Sequence, residues 1–116
     1  MNKSMNKSPI TTHILDTSTG KPAANLAVHL FVYTNNKWEL IAQGNTNSDG
    51  RITDWLNTDV EFATYKLVFD LDSYYKNQPT PAFYPEAQIT FRLQDQKHHH
   101  IPLLLSPFGY STYRGS

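Results

Sequence analysis

Leu26-Ala27-Val28-His29-Leu30-Phe31-Val32-Tyr33, followed by Thr34-Asn35-Asn36-Lys37 and then Trp38-Glu39-Leu40-Ile41-Ala42-Gln43, reads as two strands joined by a short turn. Leu26, Val28, Leu30 and Val32 alternate with Ala27, His29, Phe31 and Tyr33. A period of two places the two sets on opposite faces of a strand. Both sets are mostly apolar, so this strand is expected to be covered on most of both faces. In the second run Trp38, Leu40 and Ala42 alternate with Glu39, Ile41 and Gln43. The short connector between the runs makes them a hairpin.

The same period continues outward. Tyr65, Leu67, Phe69 and Leu71 alternate with Lys66, Val68 and Asp70. The clearest alternation sets Ala87, Ile89, Phe91 and Leu93 against Gln88, Thr90, Arg92 and Gln94, a strand with one wet or interfacial face. Ser18 to Pro22 reads as a loop. Asn47-Ser48-Asp49-Gly50 reads as a turn in which Gly50 can take positive φ at no steric cost. Gln78-Pro79-Thr80-Pro81 and Pro85 break any continuous ladder. Asp72 is expected to cap a short helix through Ser73, Tyr74, Tyr75 and Lys76. The total is seven or eight short strands with one or two helical turns, an all-β sandwich or barrel.

A chain of 116 residues suits one domain. The doubled unit MNKS, Met1 to Ser8, lacks the apolar stretch of a secretory signal. Residues 1–9 are expected to be a disordered tail and residues 10–116 the folded domain. No apolar run approaches the roughly 20 residues that span a bilayer. Ten basic residues balance ten acidic ones, so no electrostatic attraction toward nucleic acid or an anionic membrane is expected. Low net charge mildly favours self-association. With no cysteine, disulfides, zinc–thiolate sites and thiol nucleophiles are excluded. A cytoplasmic location is the expectation, with the periplasm second because no signal is visible.

Period-two geometry puts His98 and His100 on one strand face with Pro102 and Leu104, and His99 on the other with Ile101, Leu103 and Leu105. The two imidazoles then lie about 7 Å apart along the strand. They are open to three readings: half-exposed strand residues, half of a metal site joined by His13, or an acid/base pair, since imidazole titrates near neutral pH. His13 opens the first strand, and Arg51 directly follows the Asn47–Gly50 turn. His29, inside an apolar strand, reads as a satisfied core or interface histidine. Tyr110 to Ser116 is too aromatic for a frayed tail and is expected to be an ordered last strand. A phosphate-cradling glycine loop, a nucleophile elbow and His-Glu-x-x-His are absent.

Three segments carry a resemblance. They are Thr11-Thr12-His13-Ile14-Leu15-Asp16-Thr17 with Thr19-Gly20-Lys21-Pro22-Ala23, then Thr46-Asn47-Ser48-Asp49-Gly50-Arg51, and then His98 through Ser116, ending Tyr113-Arg114-Gly115-Ser116. In this order they resemble the 5-hydroxyisourate hydrolases, the enzymatic branch of the transthyretin-related proteins. The resemblance implies a transthyretin-like (prealbumin) β-sandwich of two four-stranded sheets with one short helix. It implies a homotetramer, a dimer of dimers with sites at the dimer–dimer interface, acting without cofactor or metal. By motif, His13, Arg51 and His100 fall on the catalytic positions. His98, Tyr113, Arg114 and Ser116 fall on substrate-binding ones. The implied reaction is hydrolysis of 5-hydroxyisourate to 2-oxo-4-hydroxy-4-carboxy-5-ureidoimidazoline, a step of urate breakdown, by histidine-activated water. One departure stands out: the family usually has tyrosine where this chain has His99. Because His99 points away from its neighbours, a packing change is expected there. The alternative the resemblance leaves is a transthyretin-like carrier of small molecules, since fold alone does not separate the two functions.

Overall fold

The computed structural model describes residues 8–56 and 60–115. Residues 1–7 of the expected tail and Ser116 lie outside the described residues. The packed body reaches back to Ser8, which is buried and donates its N–H to the Thr53 carbonyl.

The described residues form nine strands and one helix. These are β1 (Ile10–Asp16), β2 (Lys21–Pro22), β3 (Ala27–Thr34), β4 (Lys37–Asn45), β5 (Arg51–Ile52), β6 (Ala63–Asp70), α1 (Leu71–Tyr75), β7 (Glu86–Leu93), β8 (His99–Ser106) and β9 (Gly109–Thr112). One sheet has the order β4-β3-β6-β7 and the other β2-β1-β8-β9, with β5 also on β1. The second sheet thus has five strands where four were expected. β2 pairs with Leu15 and Asp16, and β5 with Thr12 and His13. These two short strands share one edge of β1, so five strands fill four columns of a two-sheet sandwich.

The core lies between the sheets. Val28, Leu30 and Val32 of β3 meet Leu67 and Phe69 of β6, Ile14 of β1, and Leu103 and Leu105 of β8. Removing each such side chain from water stabilises the fold by about 1.5–3 kcal/mol before entropy is counted. The alternation of β7 holds, with Ala87 and Leu93 buried while Gln88 and Arg92 are exposed.

The hairpin forms as expected, and its turn has a specific cause. Asn35 and Asn36 take φ of 53° and 64°. A two-residue connection with both residues left-handed twists in the sense of the flanking strands, and asparagine tolerates that conformation. Strand β4 departs from strict alternation. Leu30 pairs with Ala42 but Phe31 with Leu40, so Ile41 is an extra, bulged residue. The outer face of β3 is less covered than expected: His29 and Phe31 are half-buried and Tyr33 is exposed.

The helix is capped by Asp70 rather than Asp72, because the Asp70 carboxylate accepts the Ser73 N–H at 3.1 Å. The Asp72 N–H instead donates to the Pro85 carbonyl. Tyr74 ties this helix to the other sheet by donating its hydroxyl to the buried Asp16 carboxylate at 2.8 Å. Burial, and then that bond to Asp16, push the Tyr74 phenol well above its ordinary range.

Candidate active site

Strand β1 supplies the centre of the site. Ile10 and Ile14 are fully buried in the core, so alternation turns Thr11, His13 and Leu15 to the outer face of the sheet. His13 is the antiparallel register partner of Arg51. Directly opposed residues project to the same side, which sets guanidinium beside imidazole.

The turn before Arg51 is fixed by several bonds. The Asn47 side-chain oxygen accepts the N–H groups of Asp49 and Arg51 at 2.9 and 3.0 Å. The Gly50 carbonyl accepts the Ile14 N–H at 2.8 Å. Gly50 has φ of 74°, and a Cβ there would lie 2.6 Å from the Ile14 carbonyl oxygen. Only glycine allows β5 this close to β1.

Burial, and then the Arg51 charge, lower the His13 pKa below its ordinary 6.5; the Asp49 main chain opposes this by bonding the ring. The lowered pKa favours the neutral form of His13 near pH 7.

Strand β8 runs parallel to β1, with Thr11 the register partner of His100 and His13 that of Pro102. His100 thus shares the outer face with His13, one strand across and two residues along, with Cα atoms roughly 8 Å apart. His98 stands just before β8, its ring 6.1 Å from that of His100 and inclined by 27°. Thr11 lies between them. Its Oγ1 is 2.8 Å from His98 Nε2 and 2.8 Å from His100 Nδ1. Thr11 is buried, His100 half-buried and His98 exposed. The Gly115 N–H donates to the His100 carbonyl at 2.8 Å, which brings the C-terminal segment against this histidine.

The structure therefore gathers His13, Arg51, His98 and His100 on one face. Tyr113 and Arg114 sit differently: with Ile89, Phe91, His99 and Ile101 they line a cavity of about 270 Å³. Arg114 also approaches the Asp95 carboxylate at 3.6 Å, an exposed pair of little energetic weight.

His99 points away from its two neighbours, as alternation requires. It is buried, with Nδ1 2.8 Å from the Lys97 carbonyl oxygen. Its Nε2 is buried without a hydrogen-bonding group among the described residues. His29 lies on the outer face of the other sheet, stacked on Phe31 at 6.5 Å rather than in the core. Among the described residues, no cluster of three or more His, Asp or Glu is placed to hold a metal ion.

Thr11 is the residue that sequence reasoning did not single out. Its signal is the register of a parallel pairing between segments almost ninety positions apart, which no local pattern carries.

Comparison with known proteins identifies the family and supports the fold. A sequence model described as the HIUase/Transthyretin family matches residues 10–115. The chain is 44% identical over 114 residues to 5-hydroxyisourate hydrolase 2 of Rhizobium meliloti, covering 92% of this chain and 95% of that one. A solved 5-hydroxyisourate hydrolase of Klebsiella pneumoniae superposes with a TM-score of 0.83 at 34% identity, covering 92% of this chain and 97% of that one. Sea bream transthyretin in complex with thyroxine superposes with a TM-score of 0.88 at 31% identity, covering 93% and 95%. With the family pattern matched along nearly its whole length, the chain belongs to the HIUase/Transthyretin family.

Proposed function

We propose that this chain hydrolyses 5-hydroxyisourate to 2-oxo-4-hydroxy-4-carboxy-5-ureidoimidazoline, and that His13, Arg51 and His100 carry the reaction. The observation that bears the proposal is their convergence: β1, β5 and β8 present two imidazoles and a guanidinium on one sheet face. Similarity to named hydrolases along most of the chain supports the same reaction.

The substrate is an electron-poor cyclic amide, and its opening needs three things. Water must lose a proton, the carbonyl oxygen must be held as it becomes an oxyanion, and the leaving nitrogen must gain a proton. His13, kept neutral by burial and by Arg51, suits the first role. Arg51 stays cationic and offers several donors, which suits the second. His100 suits the third. The C–N bond breaks as His100 delivers its proton, and no covalent intermediate is needed.

The face is open on a single chain, and a homotetramer built as a dimer of dimers would close it into a channel. The Gly115 N–H bond to the His100 carbonyl supports a contribution to substrate binding from the C-terminal segment, although Tyr113 and Arg114 themselves line the separate cavity beside His99 within one chain. The close superposition on a thyroxine-binding transthyretin favours carriage as the second reading. The polar, titratable face weighs against it, because an iodinated aromatic hormone calls for a more apolar channel.

The test is direct. 5-Hydroxyisourate is generated with urate oxidase, the protein is added, and ultraviolet decay is followed against the spontaneous rate. Faster decay is expected. An unchanged rate together with tight thyroxine binding would replace hydrolysis with carriage.

A further inference from the structure

We propose that His98 and Thr11 form a proton wire that carries a proton from solvent to His100. The inference rests on the reading that His100 protonates the leaving nitrogen. A neutral imidazole that gives up its Nε2 proton would become an imidazolate unless Nδ1 gained a proton in the same step. In this chain Nδ1 faces a hydroxyl, Thr11 Oγ1, at 2.8 Å, and that hydroxyl is also 2.8 Å from His98 Nε2. With ring centroids 6.1 Å apart, the two imidazoles share the hydroxyl rather than a direct bond.

A hydroxyl has one proton to donate and can accept another hydrogen bond. Toward two imidazoles it therefore accepts from one ring and donates to the other, which couples their protonation. The neighbouring threonine shows the ordinary use of such a group: Thr12 donates to the Ile101 carbonyl. Thr11 has both of its contacts on imidazole nitrogens.

The exposures run in the order a wire needs. His98 is exposed, Thr11 is buried, and His100 is half-buried at the site.

The step balances. His98 begins as imidazolium. Its Nε2 proton passes to Thr11 Oγ1, the Thr11 hydroxyl proton passes to His100 Nδ1, and the His100 Nε2 proton passes to the leaving nitrogen. Three bonds to hydrogen break and three form. His100 remains neutral and changes only its tautomer. The positive charge of His98 cancels the negative charge of the oxyanion intermediate as the C–N bond breaks. To close the cycle, His13 releases to solvent the proton it took from water, and His98 takes one proton back from solvent. Thr11 is a positioning residue in this scheme, and His98 is the proton source rather than a group that must touch substrate.

Three variants test it: Thr11→Val, which keeps the branched shape without the hydroxyl; Thr11→Ser, which restores the hydroxyl; and His98→Gln. Each is measured for kcat and KM on 5-hydroxyisourate, and the ring-nitrogen signals of the histidines are followed by ¹⁵N NMR without substrate. Thr11→Val and His98→Gln should each lower kcat by about tenfold or more with KM changed by less than about twofold, the mark of a lost proton transfer rather than lost binding. Thr11→Ser should recover most of kcat, and the Thr11→Val/His98→Gln pair should be no worse than either alone. Thr11→Val should shift the His98 and His100 ring-nitrogen signals together.

Wild-type kcat in Thr11→Val, equal impairment in Thr11→Ser, or additive losses in the pair would overturn the wire. Ring-nitrogen signals unmoved in folded Thr11→Val would overturn it whether or not the wild type hydrolyses 5-hydroxyisourate, so the two ideas fail separately. His98 is exposed, so His98→Gln preserves the kinetic test if Thr11→Val does not fold.

Discussion

The two sheets each turn an outer face to the surroundings, and each face carries histidine on an apolar-patterned strand. On β3, His29 stacks on Phe31, and the Lys66 ammonium lies 5.3 Å from the Phe31 ring centroid and 4.4 Å from that of Trp38. On β1 and β8, His13 faces Arg51 and His100 faces a hydroxyl shared with His98. The residue type and its strand setting are the same. What differs is the neighbour: aromatic carbon and an ammonium on one face, proton donors and acceptors on the other. A ring packed on phenylalanine contributes contact area, whereas a ring bonded to a hydroxyl, as His100 is, or set beside a guanidinium, as His13 is, can move a proton.

This contrast breaks most easily by truncation. His13→Ala and His100→Ala should each lower kcat by roughly 100-fold or more, the scale of a lost general acid or base. His29→Ala should leave kcat within about twofold, because it removes only a surface stack. Equal losses at all three positions, read beside circular-dichroism melting curves, would mean damage to the fold and would erase the distinction between the faces.

A second test removes the charge beside His13. Arg51→Gln should cost about 100-fold in kcat, as expected for a lost oxyanion donor. Its pH profile carries more information. The His13 pKa is depressed by burial first and Arg51 second. In the wild type the base therefore stays neutral to below its ordinary 6.5, and the acid limb of activity lies where pH drops through the lowered value. Without Arg51 one depressing cause disappears, so the acid limb should move to higher pH. A limb that stays put, or moves lower, would separate Arg51 from His13.

A third sharpens the geometry. Gly50→Ala forces a side chain into left-handed backbone and against the Ile14 carbonyl oxygen. The conformation alone should cost about 1–2 kcal/mol, read in a urea titration. Arg51 should be displaced with it, so the fall in kcat should exceed that of a surface glycine substitution such as Gly20→Ala. The smallest effect is expected on the aromatic face. Trp38→Ala should lower stability by about 0.5–1 kcal/mol through the lost contact with Lys66, with kcat unchanged.

How much of this was legible in the sequence follows from where each signal resides. Strand β7 was readable because its apolar and polar residues alternate without interruption, and the hairpin because its two asparagines suit a left-handed turn. The bulge at Ile41 was not, since an apolar residue fits either face and only the register of β3 against β4 reveals the extra position. The helix cap moved from Asp72 to Asp70 because both are aspartates within one turn. The helix begins at Leu71, so Asp70 precedes it as the cap and Asp72 lies inside its first turn.

For the site, the period of two placed His98 and His100 together and His99 apart. Joining them to His13 came from family resemblance. Thr11 stayed hidden because it gains its meaning only from the parallel register with β8. Local pattern carries faces, and tertiary register carries partners.

The decay of 5-hydroxyisourate, compared among buffer, wild type and a folded His13→Ala/His100→Ala variant at equal concentration, bears on the reading most directly. The wild type should accelerate decay well beyond the spontaneous rate, and the double variant should return it to nearly that rate. Equal acceleration by the double variant and the wild type would contradict a site built from the imidazoles of β1 and β8.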